Sequence, residues 1–308
     1  MSETHVVTGA FSYTGKYVTR RLLAKGVRVK TLTHHPDRLN EFGGQVETIP
    51  FDFDQPGKLT ESLRDATVLY NTYWVRFSQG DNTHERAVAN TRALIRAAEQ
   101  AGVKRMVHIS IAKPSLTSPL PYYHGKAVLE QALRESKLTY AILRPTVLFG
   151  ANAGEDVLIN NIAWLLRLFP AFAIPGAGDY KIQPIYVEDL ADLMVSAGQA
   201  ADNVEVDAVG PEIFTFDELV RLIARTVGSQ AVLWQAPPSL ALMLAQVISL
   251  FVGDVMLTQD EVAGLMGNLL FVDSPPTGQT RLSEWLQKNA DAVGRRYSSE
   301  ISRHFRTK

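Results

Sequence analysis

The stretch Thr4 to Lys25, reading THVVTGAFSYTGKYVTRRLLAK, constrains this chain more than any other. His5 to Thr8 is a short β-rich run, and Gly9 ends it in a tight turn. From Tyr13 the period changes: Tyr17, Val18, Arg21, Leu22 and Ala24 to Lys25 follow helical spacing, with Leu22 and Leu23 on the apolar side. A strand that feeds a helix through Gly9-Ala-Phe-Ser-Tyr-Thr-Gly15 aims the unpaired N–H groups of the helix's first turn at whatever lies above the strand. A phosphate is the ligand such a site suits best.

Gly9 and Gly15 are six residues apart, and Ser12 stands where a dinucleotide-binding fingerprint carries its middle glycine. Gly9 permits the sharp turn and Gly15 the close packing of helix on strand. Ser12 puts a hydroxymethyl group near the expected pyrophosphate, either as a donor to a phosphate oxygen or as bulk that weakens binding. A glycine-containing turn is often no more than a turn. Here the flanking strand and helix are what the fingerprint requires.

Further along, strands alternate with helices. Strand patterns fall at Val27 to Thr33, Val46 to Phe51, Ala66 to Thr72, Lys104 to Ser110 and Thr139 to Arg144, with helical patterns at Pro56 to Arg64, Asn82 to Ala101 and Tyr122 to Ser136. Parallel strands need crossover connections, so this alternation predicts an α/β fold with a doubly wound parallel sheet whose ligands collect at the strands' C-terminal edge. Around Gly150-Ala-Asn-Ala-Gly154 the pattern turns mainly helical. The expected division is residues 1–150 as a nucleotide-binding domain and 151–308 as a smaller substrate or partner lobe, with a strand at 182–187 able to return to the first domain. The longest apolar run, Leu240 to Val252, is shorter than the roughly 20 residues that span a bilayer. It reads as a buried or interfacial helix.

Composition narrows the function classes. A net charge of −1 without a long basic run argues against nucleic acid, and the absence of cysteine excludes disulfides, thiolate catalysis and cysteine-bound metal. The histidines have no useful metal spacing beyond His34-His35, so no metal site is expected. With no targeting segment evident at the start, a cytoplasmic protein is the expectation.

The residues able to do chemistry lie around Pro121-Tyr-Tyr-His-Gly-Lys126. Tyr122 and Lys126 are four apart at a helix start and share one face. An ammonium beside a phenol favours the phenolate, which makes Tyr122 a candidate acid/base and Lys126 its modulator; Tyr123 is the weaker candidate. Ser110 closes the fifth strand at the ligand edge, where its hydroxyl could donate to a substrate carbonyl. Ser115 and Ser118 in the following loop are alternatives for that role, and an exposed aromatic beside a lysine is the plainer reading of the pair.

Taken together, TGAFSYTG, the strand ending in Ser110, YYHGK, AILRPTVLFG and IQPIYVEDLADL resemble the extended and atypical short-chain dehydrogenase/reductase superfamily, closest to the sugar-nucleotide epimerase-like branch that includes complex I accessory-subunit-like and NmrA-like proteins. The resemblance covers nearly the whole chain. It implies an NAD(P)-binding Rossmann domain in which Gly9, Ser12 and Gly15 wrap the pyrophosphate, with Phe11, Tyr13 and Thr14 in the same cofactor-binding loop. Asp52 would contact the adenine, Asn71, Thr72 and Tyr73 would line the adenine and ribose, and Pro145 to Val147 would face the nicotinamide. Ser110, Tyr122 and Lys126 match the catalytic trio, Lys126 also holding the nicotinamide ribose, while Tyr186 to Asp189 match a mainly structural motif. Ser12 and the short loop between Ser110 and Tyr122 depart from the family pattern.

An acidic residue about twenty positions beyond the glycine turn would select NAD. This chain has Thr33, His34 and His35 there and then Arg38, so the expectation leans to NADP, with His34 and Arg38 meeting the 2′-phosphate; NAD is the alternative. Two functions fit. One is an oxidoreductase or epimerase acting on a small carbonyl or a sugar nucleotide, and the other is a sensor or assembly protein that holds NAD(P)H without turnover. The second lobe's scattered Arg167, Lys181 and Arg221 and its apolar Trp164, Leu165, Phe169 and Phe172 favour a small or lipid-like carbonyl over a nucleotide sugar.

Overall fold

The computed structural model describes residues 3–301. The chain runs through β1 (Thr4–Thr8), α1 (Tyr13–Ala24), β2 (Arg28–Thr33), β3 (Val46–Pro50), α2 (Pro56–Ser62), β4 (Ala66–Asn71), α3 (His84–Ala101), β5 (Arg105–Ile109), α4 (Pro121–Arg134) and β6 (Thr139–Pro145). It continues through β7 (Leu148–Phe149), α5 (Leu158–Leu168), β8 (Ala171–Pro175), β9 (Lys181–Ile182) and β10 (Ile185–Tyr186) to α6 (Val187–Gln199) and β11 (Val204–Ala208). The remainder comprises β12 (Phe214–Thr215), α7 (Phe216–Thr226), β13 (Val232–Ala236), α8 (Pro238–Val252), α9 (Gln259–Met266) and α10 (Leu282–Lys288). Two units result: Met1–Pro145 with Leu190–Asp207, and Thr146–Asp189 with Ala208–Lys308.

The first unit is a seven-stranded sheet in the order β11-β6-β5-β4-β1-β2-β3. Pairing from β3 through to β6 is parallel throughout. The order reverses between β1 and β4, so the crevice above those strands' C-terminal ends is where a ligand of such a sheet sits. Val6, Leu32, Leu69, Met106 and Ile142 fill one face against Leu59, Leu94, Ala98 and Leu133. Local signals set the long helix α3: Thr83 caps its N-terminus by accepting from the Arg86 amide at 3.1 Å, and Gly102, at φ 77°, ends it.

The opposite face is more polar. Arg105 is buried there and donates to the Ala197 and Asp202 carbonyls at 2.7 and 2.9 Å. Tyr70 Oη packs over Gly198, where a Cβ would lie 2.1 Å away, and it has no hydrogen-bond partner. Burial drives its pKa far above that of an ordinary phenol. Tyr70→Phe is therefore expected to stabilise the protein by about 1 kcal/mol, by removing an unsatisfied buried hydroxyl; a urea midpoint at or below wild type would contradict this.

The sheet edge is held by ions. Buried Glu130 accepts from Arg144 at 2.7 and 2.8 Å and from Arg134 at 2.8 Å, and both arginines also bind Glu205 of β11. Hydrogen bonds from Arg134 and Arg144 hold the Glu205 carboxyl down to about 2. This corrects the expectation that 182–187 supplies a returning strand. Gln183-Pro184 breaks that run, because Pro184 has no N–H to give. β9 instead pairs antiparallel with β12, and β10 pairs parallel with β7. The returning strand is β11.

The second unit packs α5, α7 and α10 around Phe149, Ile162, Leu166, Ile174, Phe216, Leu219, Ile223, Trp285 and Leu286. Thr215 with Glu218 and Thr258 with Glu261 form capping boxes on α7 and α9. α8 is not buried, which was one of its two expected readings: only Ala241 and Ala245 are buried, while Met243, Val247, Leu250 and Phe251 are exposed. No helix of the described residues is long and apolar enough to cross a membrane.

Candidate functional site

The turn after β1 is a close-packed cradle. Gly9 adopts φ 66°, its N–H donates to the Leu32 carbonyl at 2.9 Å, and its own carbonyl accepts from Ser12 N–H at 2.8 Å. Thr31 ties the loop down from β2, accepting from Ala10 N–H and donating to Val7 O, both at 2.9 Å. Gly15 is buried against this turn, where a Cβ would lie 2.0 Å from Gly9 O. Ser12 is the N-cap of α1, yet its side chain makes no capping bond, and the first turn carries no acidic residue. The helix's leading amides therefore present a positive end with no carboxylate to answer it. Phe11, Tyr13 and Thr14 are half-buried in the same loop, Phe11 stacked 6.2 Å from Phe42 and Tyr13 set edge-on to Tyr17. These residues fit a dinucleotide pyrophosphate.

At the C-terminal ends of β2, β3 and β4, His34, Phe51, Phe53 and Tyr73 form an aromatic cluster, with His34 stacked on Phe51 at 5.4 Å. Desolvation by these rings, with the charges of His35 and Arg86, lowers the His34 pKa below 6.5. That direction disfavours a charged ring beside Phe51. Arg38 follows in the turn begun by His35, whose carbonyl accepts from Arg38 N–H at 3.2 Å. Asp52 accepts from Asp54 N–H at 3.0 Å and Gln55 Nε2 at 2.6 Å, which organises the entry to α2. Tyr73 Oη accepts from Asn90 at 3.0 Å. Thr72 Oγ1 donates to Thr8 O at 2.6 Å, leaving its backbone at the rim.

Asn71 does not line the ligand crevice as expected. It is fully buried in the sheet, bonded to Thr8 and His108.

Across the crevice, Ser110 follows β5, donating its N–H to Leu143 O at 2.8 Å; its hydroxyl is buried without a partner. Ser115 and Ser118 are spent in local turns, accepting from Thr117 N–H and Leu120 N–H, so Ser110 is the hydroxyl at the strand end. Pro121 starts α4, and Tyr122 lies half-buried in its first turn. Tyr123 is buried, at 8% exposure. Lys126 is 2% exposed and donates to Ile109 O at 2.6 Å. Burial lowers its pKa to about 7, against the opposing pull of Glu130.

Sequence reading missed Trp74. Its ring covers the Lys126 ammonium at 4.4 Å and stands edge-on to Tyr122 at 5.5 Å. Gly125 leaves room for it, since a Cβ there would lie 2.9 Å from the indole. The glycine of YYHGK is the only trace of this packing in the sequence.

Pro145 ends β6, its carbonyl accepting from Ala112 N–H at 2.9 Å, and Val147 belongs to the second unit, where its carbonyl accepts from Ile185 N–H at 2.8 Å. In that unit Asp189 accepts from the Gln279 and Thr280 amides, each at 2.7 Å, a structural role of the kind expected for the Tyr186 to Asp189 motif.

Residues 9–161 match a family described as NAD(P)H-binding. The chain is 28% identical over 231 residues to NADH dehydrogenase [ubiquinone] 1 alpha subcomplex subunit 9, mitochondrial, of Arabidopsis thaliana, a match covering 70% of this chain and 56% of that protein. It is 23% identical to photosystem II assembly factor Ycf39 of Cyanidium caldarium, covering 80% and 78%. A nucleoside-diphosphate-sugar epimerase from Staphylococcus aureus has the same fold, with a TM-score of 0.75 at 16% identity over 92% of this chain and 99% of that one. The glycine cradle, the parallel sheet and these relatives agree: the chain carries an NAD(P)H-binding domain over residues 9–161 and matches the extended short-chain dehydrogenase/reductase superfamily in fold.

Proposed function

We propose that the protein is an NAD(P)-dependent oxidoreductase, or an epimerase, acting on a carbonyl or hydroxyl group of a small molecule. The observation that carries this reading is Lys126: a lysine 2% exposed, its ammonium under Trp74 and one helical turn from Tyr122, is kept at a cost in stability. The nicotinamide, when bound, supplies or accepts the hydride. Ser110 donates a hydrogen bond to the carbonyl oxygen and Tyr122 exchanges a proton with that same oxygen, while Lys126 favours the phenolate. Gly9 to Gly15 hold the pyrophosphate. A planar apolar surface from His34, Phe51, Phe53 and Tyr73 suits the adenine. Thr33, His34 and His35 close β2 without a carboxylate, and Arg38 follows after Asp37, which supports NADP over NAD.

The relatives named as a complex I subunit and an assembly factor favour a second reading, a protein that binds NAD(P)H and associates with other proteins without turnover. Titration with NADPH and NADH followed by a carbonyl panel separates the two. Tyr122→Phe is expected to keep dinucleotide affinity within about twofold and to lower kcat about a hundredfold, the lower end for loss of an acid/base group. Binding of NADPH without turnover of any carbonyl by wild type would establish the second reading, and no binding of either nucleotide would end both.

A further inference from the structure

Two polar atoms beside Lys126 are sealed from water without a partner: His108 Nε2 and Ser110 Oγ, on side chains each 1% exposed. They are two residues apart along one extended segment, so they point the same way. The hydrogens behind them are fixed by the backbone. Thr72 and Tyr73 donate their N–H groups to Thr8 Oγ1 at 2.8 and 3.1 Å, which turns the Thr8 hydroxyl hydrogen outward. Its nearest acceptor is Asn71 Oδ1 at 3.1 Å, the Tyr70 carbonyl being farther at 3.5 Å.

Tyr73 N–H also donates to Asn71 Oδ1, at 3.2 Å, so that atom is the carbonyl oxygen. The Asn71 amide nitrogen, 3.0 Å from His108 Nδ1, is then the donor. Nδ1 accepts, and the proton of the neutral imidazole sits on Nε2. Complete burial and the neighbouring Lys126 hold the His108 pKa well below 6.5, so the ring is neutral.

We propose that His108 is a positioning residue: its Nε2–H, through one internal water, occupies the lone-pair side of Ser110 Oγ and turns the Ser110 hydroxyl hydrogen toward the substrate carbonyl. From Thr8 to the reacting oxygen, every donor then points in one direction. An unpaired buried donor or acceptor costs about 1–3 kcal/mol, and a bridging water relieves both atoms at once. Trp74 and Lys126 keep bulk solvent away from it. The catalytic part of this inference rests on the proposed oxidoreductase activity; the tautomer and the water do not.

The tautomer is read directly by long-range 15N–1H spectra of the histidine-labelled full-length protein. His108, assigned by loss of its signal in His108→Gln, is expected as the Nε2–H form from about pH 5 to pH 8, where an ordinary histidine titrates. An Nδ1–H or protonated His108 overturns the chain. A crystal structure of the NADPH complex should show a water bonded to His108 Nε2 and Ser110 Oγ, and a dry gap overturns the bridge.

In turnover normalised to dinucleotide-binding sites, His108→Leu is expected to lower kcat on the order of thirtyfold with KM for NADPH unchanged. That is less than the roughly hundredfold or more of losing an oxyanion donor outright. His108→Gln, whose amide can accept from Asn71 and donate onward, should recover most of the rate, and adding His108→Leu to Ser110→Ala should change nothing further. A Leu variant as fast as wild type, or a Gln variant as slow as the Leu one, overturns the positioning role; if the Leu variant does not fold, the Gln variant and the spectrum decide. Should wild type bind NADPH and reduce nothing, the proposed activity falls, and the spectrum and the water still decide the hydrogen-bond chain.

Discussion

Gly15→Ala is expected to weaken dinucleotide binding by about a hundredfold or more and to destabilise the protein by about 3 kcal/mol, the upper end of what overpacking usually costs. The added methyl would sit 2.0 Å from Gly9 O and 2.8 Å from Gly9 C, and backbone cannot step aside as a side-chain tip can. Gly9 is pinned from both sides, its N–H on Leu32 and its carbonyl on Ser12. The helix must therefore move off the strand, and its leading amides lose their aim at the phosphates. Gly26→Ala is the control: Gly26 sits at φ 74° with nothing within 4 Å of the new atom. It should cost about 1 kcal/mol of backbone strain and leave affinity intact. Calorimetric titration with NADPH alongside urea unfolding reads both, and a Gly15→Ala protein binding NADPH as tightly as wild type would remove the cradle from the account.

Lys126→Met is expected to stabilise the protein while lowering turnover about a thousandfold. A lysine pKa depressed from 10.5 to about 7 amounts to roughly 5 kcal/mol at about 1.36 kcal/mol per pH unit. The variant gives back part of this, because Ile109 O loses its donor and Trp74 its cation, worth about 1–3 kcal/mol together. A net gain of about 2–4 kcal/mol remains. Its pH dependence has a definite sign. Below pH 7 the lysine is protonated in both folded and unfolded chains, and wild type bears the whole penalty. Between pH 7 and 10.5 the unfolded chain binds more protons, so wild type grows more stable as pH rises. The advantage of the variant should therefore be largest at pH 6 and fade toward pH 10. A variant less stable than wild type at pH 6 would mean that the ammonium is better solvated than its burial implies.

Much of the first unit was legible because its signals are local. A change of apolar period at Tyr13, the glycines at 9 and 15, and strands separated by helices each state their meaning within a dozen residues. Ser110, Tyr122 and Lys126 were legible for the same reason, being a strand end and one helical turn. Trp74 was not, since what matters about it is a ring lying over Lys126, and nothing near residue 74 announces that neighbour. The desolvation of His34 was not legible, because the rings of Phe51, Phe53 and Tyr73 that surround it come from elsewhere in the chain. Asn71 reads as a rim residue from its place at a strand end, but its side chain turns inward to His108. The run at 182–187 looked continuous by composition, although Pro184 divides it. For α8 the apolar run left a buried and an interfacial helix open, since hydropathy does not say which apolar side chains find neighbours.

The return of β11 to the sheet bears on how the polypeptide is made. A ribosome that has released everything up to Pro145 has not yet delivered Glu205, the shared counter-ion of Arg134 and Arg144, nor Asn203, whose side chain accepts from the Tyr140 amide at 2.8 Å. The nucleotide-binding half is thus not a module that can be cut out at a single point in the gene. Its last edge is closed only after the intervening 44-residue excursion, Thr146–Asp189, has left the exit tunnel, so that edge stays open through much of synthesis.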